Sequence, residues 1–281
     1  MKKIYFLLFS VLFFGCEKKE PASEESDQIE FITYEYIDRG IEGTVSDIHY
    51  DQQGRLVQLS SEHYTYDSKG RLQTIKIFVS PTDFLLYTCL YDEHDRIKEI
   101  VWNNEEQYAS SYSSISVDSR FTYEGSSSLP KEVQKSNFDG RRYIDNILSF
   151  LNIESNLSTF TTAGGNATGE INTIDGWLID PLTAVQESKS FKYTWYYTHD
   201  NKPNVFRKLF AGLNWMPQSF ASKGFRATDI FNTNNVIEAT LQSEGSTIED
   251  GSATYEYKFD AKGRVSEIRA GLVRWTIHYR T

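Results

Sequence analysis

The chain has 281 residues, a formal net charge of −10 and many aromatic residues, with 18 Tyr, 18 Phe and 5 Trp. The acidic balance argues against a nucleic-acid partner, because binding to phosphate backbones needs clustered Lys and Arg. With only 2 Cys, the chain is neither a disulfide-dense domain nor a cysteine-rich zinc protein.

The N-terminus reads as a secretory signal over residues 1–15. Two lysines precede the apolar run from Ile4 to Phe14, which is much shorter than the ~20 residues that a membrane-spanning helix needs. The pair Gly15-Cys16 that follows resembles the lipobox of bacterial lipoproteins. The resemblance implies cleavage before Cys16 and acylation of its thiol and amine, for example by palmitate. The alternative is an ordinary signal peptide with an incidental cysteine.

The segment after the signal, residues 16–30, predicts a lipidated Cys16 followed by a flexible tether. It is rich in Glu, Ser and Lys and has no aromatic residue, so it cannot bury enough apolar surface to order itself. We therefore expect a membrane partner, reached through the lipid anchor. The expected location is the cell envelope, as an outer-membrane lipoprotein on either the periplasmic or the surface side. Residues 31–281 are expected to form a single β domain.

A short motif recurs along this domain: an aromatic residue, Asp, two variable residues, Gly, Arg and an aliphatic residue, with a second aliphatic residue three positions later. Close copies begin at Tyr50, Tyr66, Tyr91 and Phe259, and a weaker copy begins at Tyr123. Asp accepts hydrogen bonds from backbone amides two residues on, and Gly supplies the positive φ that closes such a turn. Asp95 stands at the Gly position in the third copy and tolerates the same backbone region. Each copy therefore predicts a β-hairpin turn.

The spacing of the two aliphatic residues does not fit a flat strand. Leu72 and Ile75 are an odd number of residues apart, and a flat strand would place them on opposite faces. Either a β-bulge lies between them, or the sheet is buried on both faces near the turn.

The repeated Tyr-Asp-x-x-Gly-Arg-Leu frame resembles the YD repeats of large secreted and Rhs-type proteins, which wind into a curved β shell. The chain as a whole is more similar to a family of uncharacterised Gram-negative lipoproteins with a porin-like β fold. That family has a central Lys-Pro-Asn segment, matched here by Asp200 to Phe206. The resemblance implies a fold and a lipoprotein signal, and it supplies no catalytic residue.

Outside the repeats, alternating aromatic runs predict more half-buried antiparallel strands. These runs are Phe31–Tyr36, Phe191–Tyr197, Tyr255–Phe259 and Val273–Tyr279. The predicted fold class is thus all-β and mainly antiparallel, a hairpin-repeat barrel or a strongly curved sheet. Charged residues on the outward positions, such as Lys192 and Glu256, favour a water-soluble sheet over a membrane-spanning barrel.

One or two short helices are expected beside the sheet. Ile144, Ile147, Leu148 and Leu151 share one helical face within residues 143–151. Asn204 can cap a second helix running to Leu213. Between them, the polar and Gly-rich stretch Thr161 to Gly176 reads as a long loop.

The sequence shows no catalytic, cofactor or metal motif. The five His residues lack metal-ligand spacing, and Cys89 is expected to be a small buried hydrophobe. Trp177 and Trp215 have the least strand-like surroundings of the five Trp residues and could stack on a glycan or peptide. We therefore expect a non-enzymatic scaffold that binds a ligand, an envelope glycan or an envelope protein, or has a structural role.

Two alternatives to this scaffold stay open. The first is a carboxylate-dependent hydrolase of envelope or extracellular glycans, which would need two facing acids with raised pKa values. The second is a YD-repeat component of an export or assembly system.

Overall fold

A computed structural model describes residues 27–103, 115–135, 139–144, 147–179, 183, 185–209, 232–246 and 248–280. In these residues the chain forms 18 β-strands in one sheet and one short helix, α1 (Val205–Leu209). The strands are β1 (Ile29–Tyr36), β2 (Ile41–Val45), β3 (His49–Tyr50), β4 (Leu56–Leu59), β5 (Glu62–Tyr66), β6 (Leu72–Phe78), β7 (Phe84–Tyr91), β8 (Ile97–Asn103), β9 (Ile115–Tyr123), β10 (Pro130–Lys135), β11 (Asp139–Ile144), β12 (Ile147–Ala163), β13 (Asn166–Ile179), β14 (Gln186–Pro203), β15 (Asn234–Glu244), β16 (Gly251–Phe259), β17 (Val265–Ala270) and β18 (Val273–Tyr279).

All pairings are antiparallel and join the strands in one series. From β2 the series runs through β1 to β18 and then backwards along the chain to β12. The long strand β12 pairs with both β10 and β11, and from β10 the series continues through β9 to β3. The prediction of an all-β antiparallel fold is confirmed.

The two ends of this series, β2 and β3, are joined by residues 46–48 alone. Four Cα steps separate Val45 from His49, so the ends lie within about 14 Å of each other. The sheet must therefore curl until its first and last strands are neighbours. No strand pairing joins β2 and β3 in the described chain, and the backbone amide of Ser60 instead donates to the carbonyl of Ser46 at 3.2 Å. The sheet is strongly curved, with an open seam between β2 and β3.

The hydrophobic core lies inside this curve. Its fully buried side chains are supplied mainly by the repeats: Leu59, Leu72, Ile75, Ile97, Ile100 and Ile268, together with Ile32 from β1. Phe206 and Leu209 of α1 belong to the same cluster. The repeats therefore supply most of the fully buried side chains, and the helix packs onto the same core.

A β-bulge explains the odd spacing in each repeat. In the second copy Tyr66 pairs with Leu72 while Thr65 pairs with Thr74, which leaves Gln73 as an extra residue. The other three close copies show the same register shift. In a regular strand, residues 72 and 75 would point to opposite faces. The extra residue in the bulge places both side chains on the core face, so Leu72 and Ile75 are both fully buried.

Two secondary-structure predictions were wrong. Residues 143–151 are not helical, because they lie in β11 and β12, whose cross-strand register pairs Ile144 with Ile147. The stretch Thr161 to Gly176 is not a long loop, because it forms the end of β12, a tight turn at Gly164-Gly165 and most of β13.

The second predicted helix is found as α1. The side-chain oxygen of Asn204 accepts a hydrogen bond from the backbone amide of Phe206 at 2.9 Å, as the capping prediction requires. Residues 210–213, over which the helix was predicted to continue, lie outside the described residues.

Candidate functional site

The repeat turns share one side-chain geometry. In the second copy, Asp67 accepts bonds from the backbone amides of Lys69 and Arg71, both at 2.9 Å. Its other oxygen accepts a 2.8 Å bond from Nε of Arg71. The same bonds recur with Asp51, Asp92 and Asp260. Each turn is therefore fixed by its Asp and Arg together.

Each of these arginines also contacts the tyrosine that ends a neighbouring strand. The guanidinium of Arg71 lies 4.2 Å from the ring centroid of Tyr91, and the Tyr91 hydroxyl donates to the Leu72 carbonyl at 2.6 Å. Equivalent contacts link Arg55 with Tyr66, Arg96 with Tyr123 and Arg264 with Tyr279. These contacts align the turns side by side at one end of the sheet.

A cavity of about 670 Å³ opens at this end, between the last repeat, the first repeat and α1. The repeats contribute Tyr50 and Phe259 to its wall, β18 contributes Tyr279, and α1 contributes Val205 and Leu209. Further contributions come from Asp27, Gln28, Ile29, Lys202 and Arg264. The wall is thus mostly apolar and aromatic, with a few charged groups at defined places, which is the usual character of a small-molecule site.

Buried asparagines hold the helix against the cavity. Asn204 caps α1 and also donates through Nδ2 to the Asn232 carbonyl at 3.1 Å. The side-chain oxygen of Asn232 accepts a 2.7 Å bond from the backbone amide of Ala167. Because Asn204 is 6% exposed and Asn232 is 0% exposed, losing either partner would leave buried polar groups unpaired. This network attaches the start of α1 to the β12–β13 hairpin.

The two cations of the cavity wall, Arg264 and Lys202, differ in whether a carboxylate lies beside them. Arg264 is bonded to Asp260 at 2.8 Å, and its guanidinium lies 4.0 Å from the Asp27 carboxylate. The Lys202 ammonium lies 3.6 Å above the Phe259 ring centroid and forms no ion pair within the described residues. Among the described residues, Lys202 is therefore the cation of the cavity wall that has no carboxylate partner.

The phenols of the wall are neutral. Burial raises the pKa of Tyr50 to about 12, although the Ile29 amide and the Arg280 charge act in the opposite direction. Burial likewise raises the pKa of Tyr279 to about 12 against the opposing charge of Arg264. Both groups stay protonated at neutral pH and can donate or accept hydrogen bonds without adding charge.

Of the three residues predicted to carry a lipid or stack on a ligand, the structure describes one. Cys16 and Trp215 lie outside the described residues. Trp177 lies within β13 rather than in a loop, is 38% exposed, and does not line the cavity. Its stacking role stays a prediction.

Cys89 and the turn aspartates have pKa shifts in the directions that disfavour catalysis. Burial raises the pKa of the Cys89 thiol to about 12, which disfavours the nucleophilic thiolate. The turn aspartates have lowered pKa values: for Asp67 the main cause is the hydrogen bond from the Arg71 backbone amide. A general acid needs the opposite shift.

Among the described residues, no cluster of three His, Cys, Asp or Glu side chains could hold a metal ion. The described part of the chain also has no helix long and apolar enough to cross a membrane.

Several cavity residues were not predicted as site residues. Lys202 and Val205 lie in the Lys-Pro-Asn segment, which the sequence singled out only for its capping Asn and its resemblance. The adjacent asparagine-rich stretch Asn232–Asn235 was a second available signal, because side chains that can hydrogen-bond in two directions often fix irregular backbone. The apolar wall could not be located from the sequence, since it joins residues more than 200 positions apart.

No family model and no curated protein matches the sequence. Two solved structures are similar at low level. A chain of the "Crystal Structure of TcdB2-TccC3-Cdc42" is 16% identical, with a TM-score of 0.31, over 82% of this chain and 11% of that chain. A porin-like protein from Bacteroides uniformis ATCC 8492 is 13% identical, with a TM-score of 0.30, over 89% of this chain and 96% of that chain. At these TM-scores neither similarity bears on what the cavity binds.

Proposed function

We propose that the chain is a lipid-anchored protein of the cell envelope whose curved β-sheet binds a small ligand in the cavity beside α1, without catalysing its conversion. The observation that supports binding is the cavity itself, because about 670 Å³ lined mainly by apolar side chains lies in the range of small-molecule sites. The support for anchoring is the signal sequence and the Gly15-Cys16 pair. Attachment through acylated Cys16 would make the membrane the protein's partner and the outer membrane its location.

The anchor is tested by expressing the whole chain in a Gram-negative host. We expect membrane-fraction protein that lacks residues 1–15 and carries acyl groups on Cys16, measured by intact mass. Cys16→Ser should abolish both acylation and membrane association, whereas Cys89→Ala should change neither, because Cys89 is buried in the core. Unmodified Cys16 or a retained Met1 in the wild-type protein would refute the anchor.

The cavity is tested with the neutral fluorescent probe N-phenyl-1-naphthylamine, in the mature chain carrying Cys16→Ser and purified without detergent. We expect saturable probe fluorescence that Val205→Trp abolishes and Val205→Phe weakens, because Val205 lines the cavity. Val185→Trp is the matched control, since Val185 is 61% exposed and does not line it. Equal probe binding by all of these variants, with unchanged circular dichroism, would show that the cavity is not a binding site.

A further inference from the structure

The cavity has a mostly apolar wall with a positive charge at one edge. Its apolar wall is formed by Ile29, Val205, Leu209 and Val265. At one edge the Lys202 ammonium lies over the Phe259 ring. An apolar body beside a single uncompensated cation is complementary to a molecule with an apolar chain and one negative group.

The other charged groups of the wall form no ion pair with Lys202 within the described residues. Arg264 contacts two carboxylates, Asp260 at 2.8 Å and Asp27 at 4.0 Å, so the one net negative charge of these three groups lies beside Arg264. The neutral phenols of Tyr50 and Tyr279 add no negative charge that would repel an anion. A cationic ligand would have to approach Lys202 against like-charge repulsion, which favours an anion.

We propose that this cavity takes a single-chain anionic amphiphile, such as a medium-chain carboxylate, with its anionic group against Lys202 and its chain between α1 and the repeat aromatics. This inference rests on the proposed function and names the ligand class of the same site. An ammonium group donates up to three hydrogen bonds to a carboxylate, and the flanking aliphatic side chains remove the chain from water.

The position of the cavity fits an amphiphile that comes from a membrane environment. Asp27 and Gln28, which line it, belong to the last part of the segment 16–30 that was predicted to be the tether. Eleven Cα steps separate Cys16 from Asp27, so the cavity lies within about 40 Å of the expected acyl anchor. A single-chain amphiphile leaving the bilayer near the anchor would therefore be released within about 40 Å of the cavity.

The experiment measures displacement of N-phenyl-1-naphthylamine from the unlipidated mature chain by decanoate, decanol and decylammonium. We expect decanoate to displace the probe at about tenfold lower concentration than decanol, and decylammonium to be weakest. Lys202→Gln should lower the roughly tenfold preference for decanoate over decanol to about onefold, because one charge-assisted contact is lost. Lys131→Gln, an exposed lysine outside the cavity, should behave as the wild type.

The outcomes separate the two proposals. If the probe does not bind, the ligand-binding function fails. If it binds but decanoate and decanol displace it equally, or if Lys202→Gln has no effect, only the anionic ligand class is overturned. Vesicles of phosphatidylglycerol and of phosphatidylcholine distinguish a membrane surface from a free amphiphile. Retention on phosphatidylglycerol vesicles without displacement by decanoate would assign the charge preference to the membrane surface and overturn the proposal.

Discussion

Tyr66, Tyr91 and Tyr123 each make two different contacts with the preceding repeat. The hydroxyl of Tyr91 donates to the Leu72 carbonyl at 2.6 Å, and the face of its ring lies 4.2 Å below the Arg71 guanidinium carbon. The carbonyl that it satisfies lies at the bulge, where the ladder pairing is irregular. The tyrosine therefore supplies a hydrogen bond at the place where the sheet itself supplies fewer.

This residue-scale role predicts the effect of Tyr91→Phe. The substitution removes the hydrogen bond to Leu72 and keeps the ring under Arg71, so we expect the free energy of unfolding to fall by about 1 kcal/mol. Tyr91→Leu should cost more, because it also removes the cation–π contact. Urea unfolding measures both. Tyr196→Phe is the control, since Tyr196 is 51% exposed. An equal loss in the control, or no loss at position 91, would contradict the role.

The sequence predicted some residue roles and missed others for a physical reason. Asp, Gly and Arg act within one turn, so their roles follow from local spacing, and the positive φ values of Gly70 (80°) and Asp95 (59°) confirm the turn chemistry. The contact between Arg71 and Tyr91 joins two copies of the repeat, although the two residues are 20 positions apart in sequence. Because the copies are unevenly spaced, their alignment in space depends on strand register, which one repeat does not specify.

At the scale of elements, short apolar runs were the main source of error. Residues 143–151 fit a helical face, but the same residues also pair in β11 and β12. Helical and strand periodicities cannot be separated over so short a run. These residues are strand because pairing partners lie beside them: β12 pairs with β13 from Phe150 to Ala163. The polar stretch Thr161–Gly176 contains the end of β12 and most of β13 for the same reason. Neighbouring strands provide hydrogen-bond partners for its backbone.

The repeat turn is an element whose stability should depend on acid pH. In Asp92, burial alone would raise the pKa, but the bonds and charge supplied by Arg96, with the His94 amide, outweigh it and lower the pKa. Such a group stabilises the fold above its unfolded pKa of about 3.9, and this stabilisation is lost as the pH falls through the lower, folded-state pKa. The free energy of unfolding should therefore decrease as the pH falls from about 4.

The variant Asp92→Asn tests this dependence. The amide keeps an acceptor for the backbone but turns a donor toward Nε of Arg96, so we expect a loss of about 2 kcal/mol at pH 7. Its stability should also fall less steeply than that of the wild type below pH 4. Chemical denaturation at several pH values measures both effects. In Asp38→Asn, which alters an exposed pair with Arg39, the slope should stay that of the wild type. A wild-type slope in Asp92→Asn would rule out this aspartate as a source.

At the scale of the whole molecule, the series of arginine–tyrosine contacts continues across the open seam. Arg264 lies over Tyr279, and the next residue, Arg280, has its guanidinium carbon 5.3 Å from the Tyr50 ring centroid. Arg280 also donates to the Ile48 carbonyl at 2.8 Å. The last strand thus bonds to the segment that begins the repeats. Together with the backbone bond from Ser60 to Ser46, these side chains connect the seam, whereas strand pairing connects the rest of the sheet.

Replacing Arg280 by Gln should loosen the seam without unfolding the sheet. The backbone bond from the residue 280 amide to the Gln28 carbonyl is kept, whereas the guanidinium bond to Ile48 is lost. The amides that bridge the seam are those of Ile29, bonded to the Tyr50 hydroxyl, and Ser60, bonded to Ser46. We expect these amides to exchange about tenfold faster, since local opening becomes easier by about 1.4 kcal/mol.

Hydrogen exchange followed by mass spectrometry measures this change in peptides that contain Ile29 or Ser60. Peptides from β6 and β7 serve as an internal reference, because their amides lie in paired strands remote from residue 280 in the series. Arg39→Gln is the matched variant, since the Arg39 side chain is 69% exposed and pairs with Asp38. Unchanged exchange at Ile29 and Ser60 in Arg280→Gln would show that backbone contacts alone hold the seam. Faster exchange throughout β6 and β7 would instead show that Arg280 stabilises the whole sheet, because the seam and the rest of the curve would then open together.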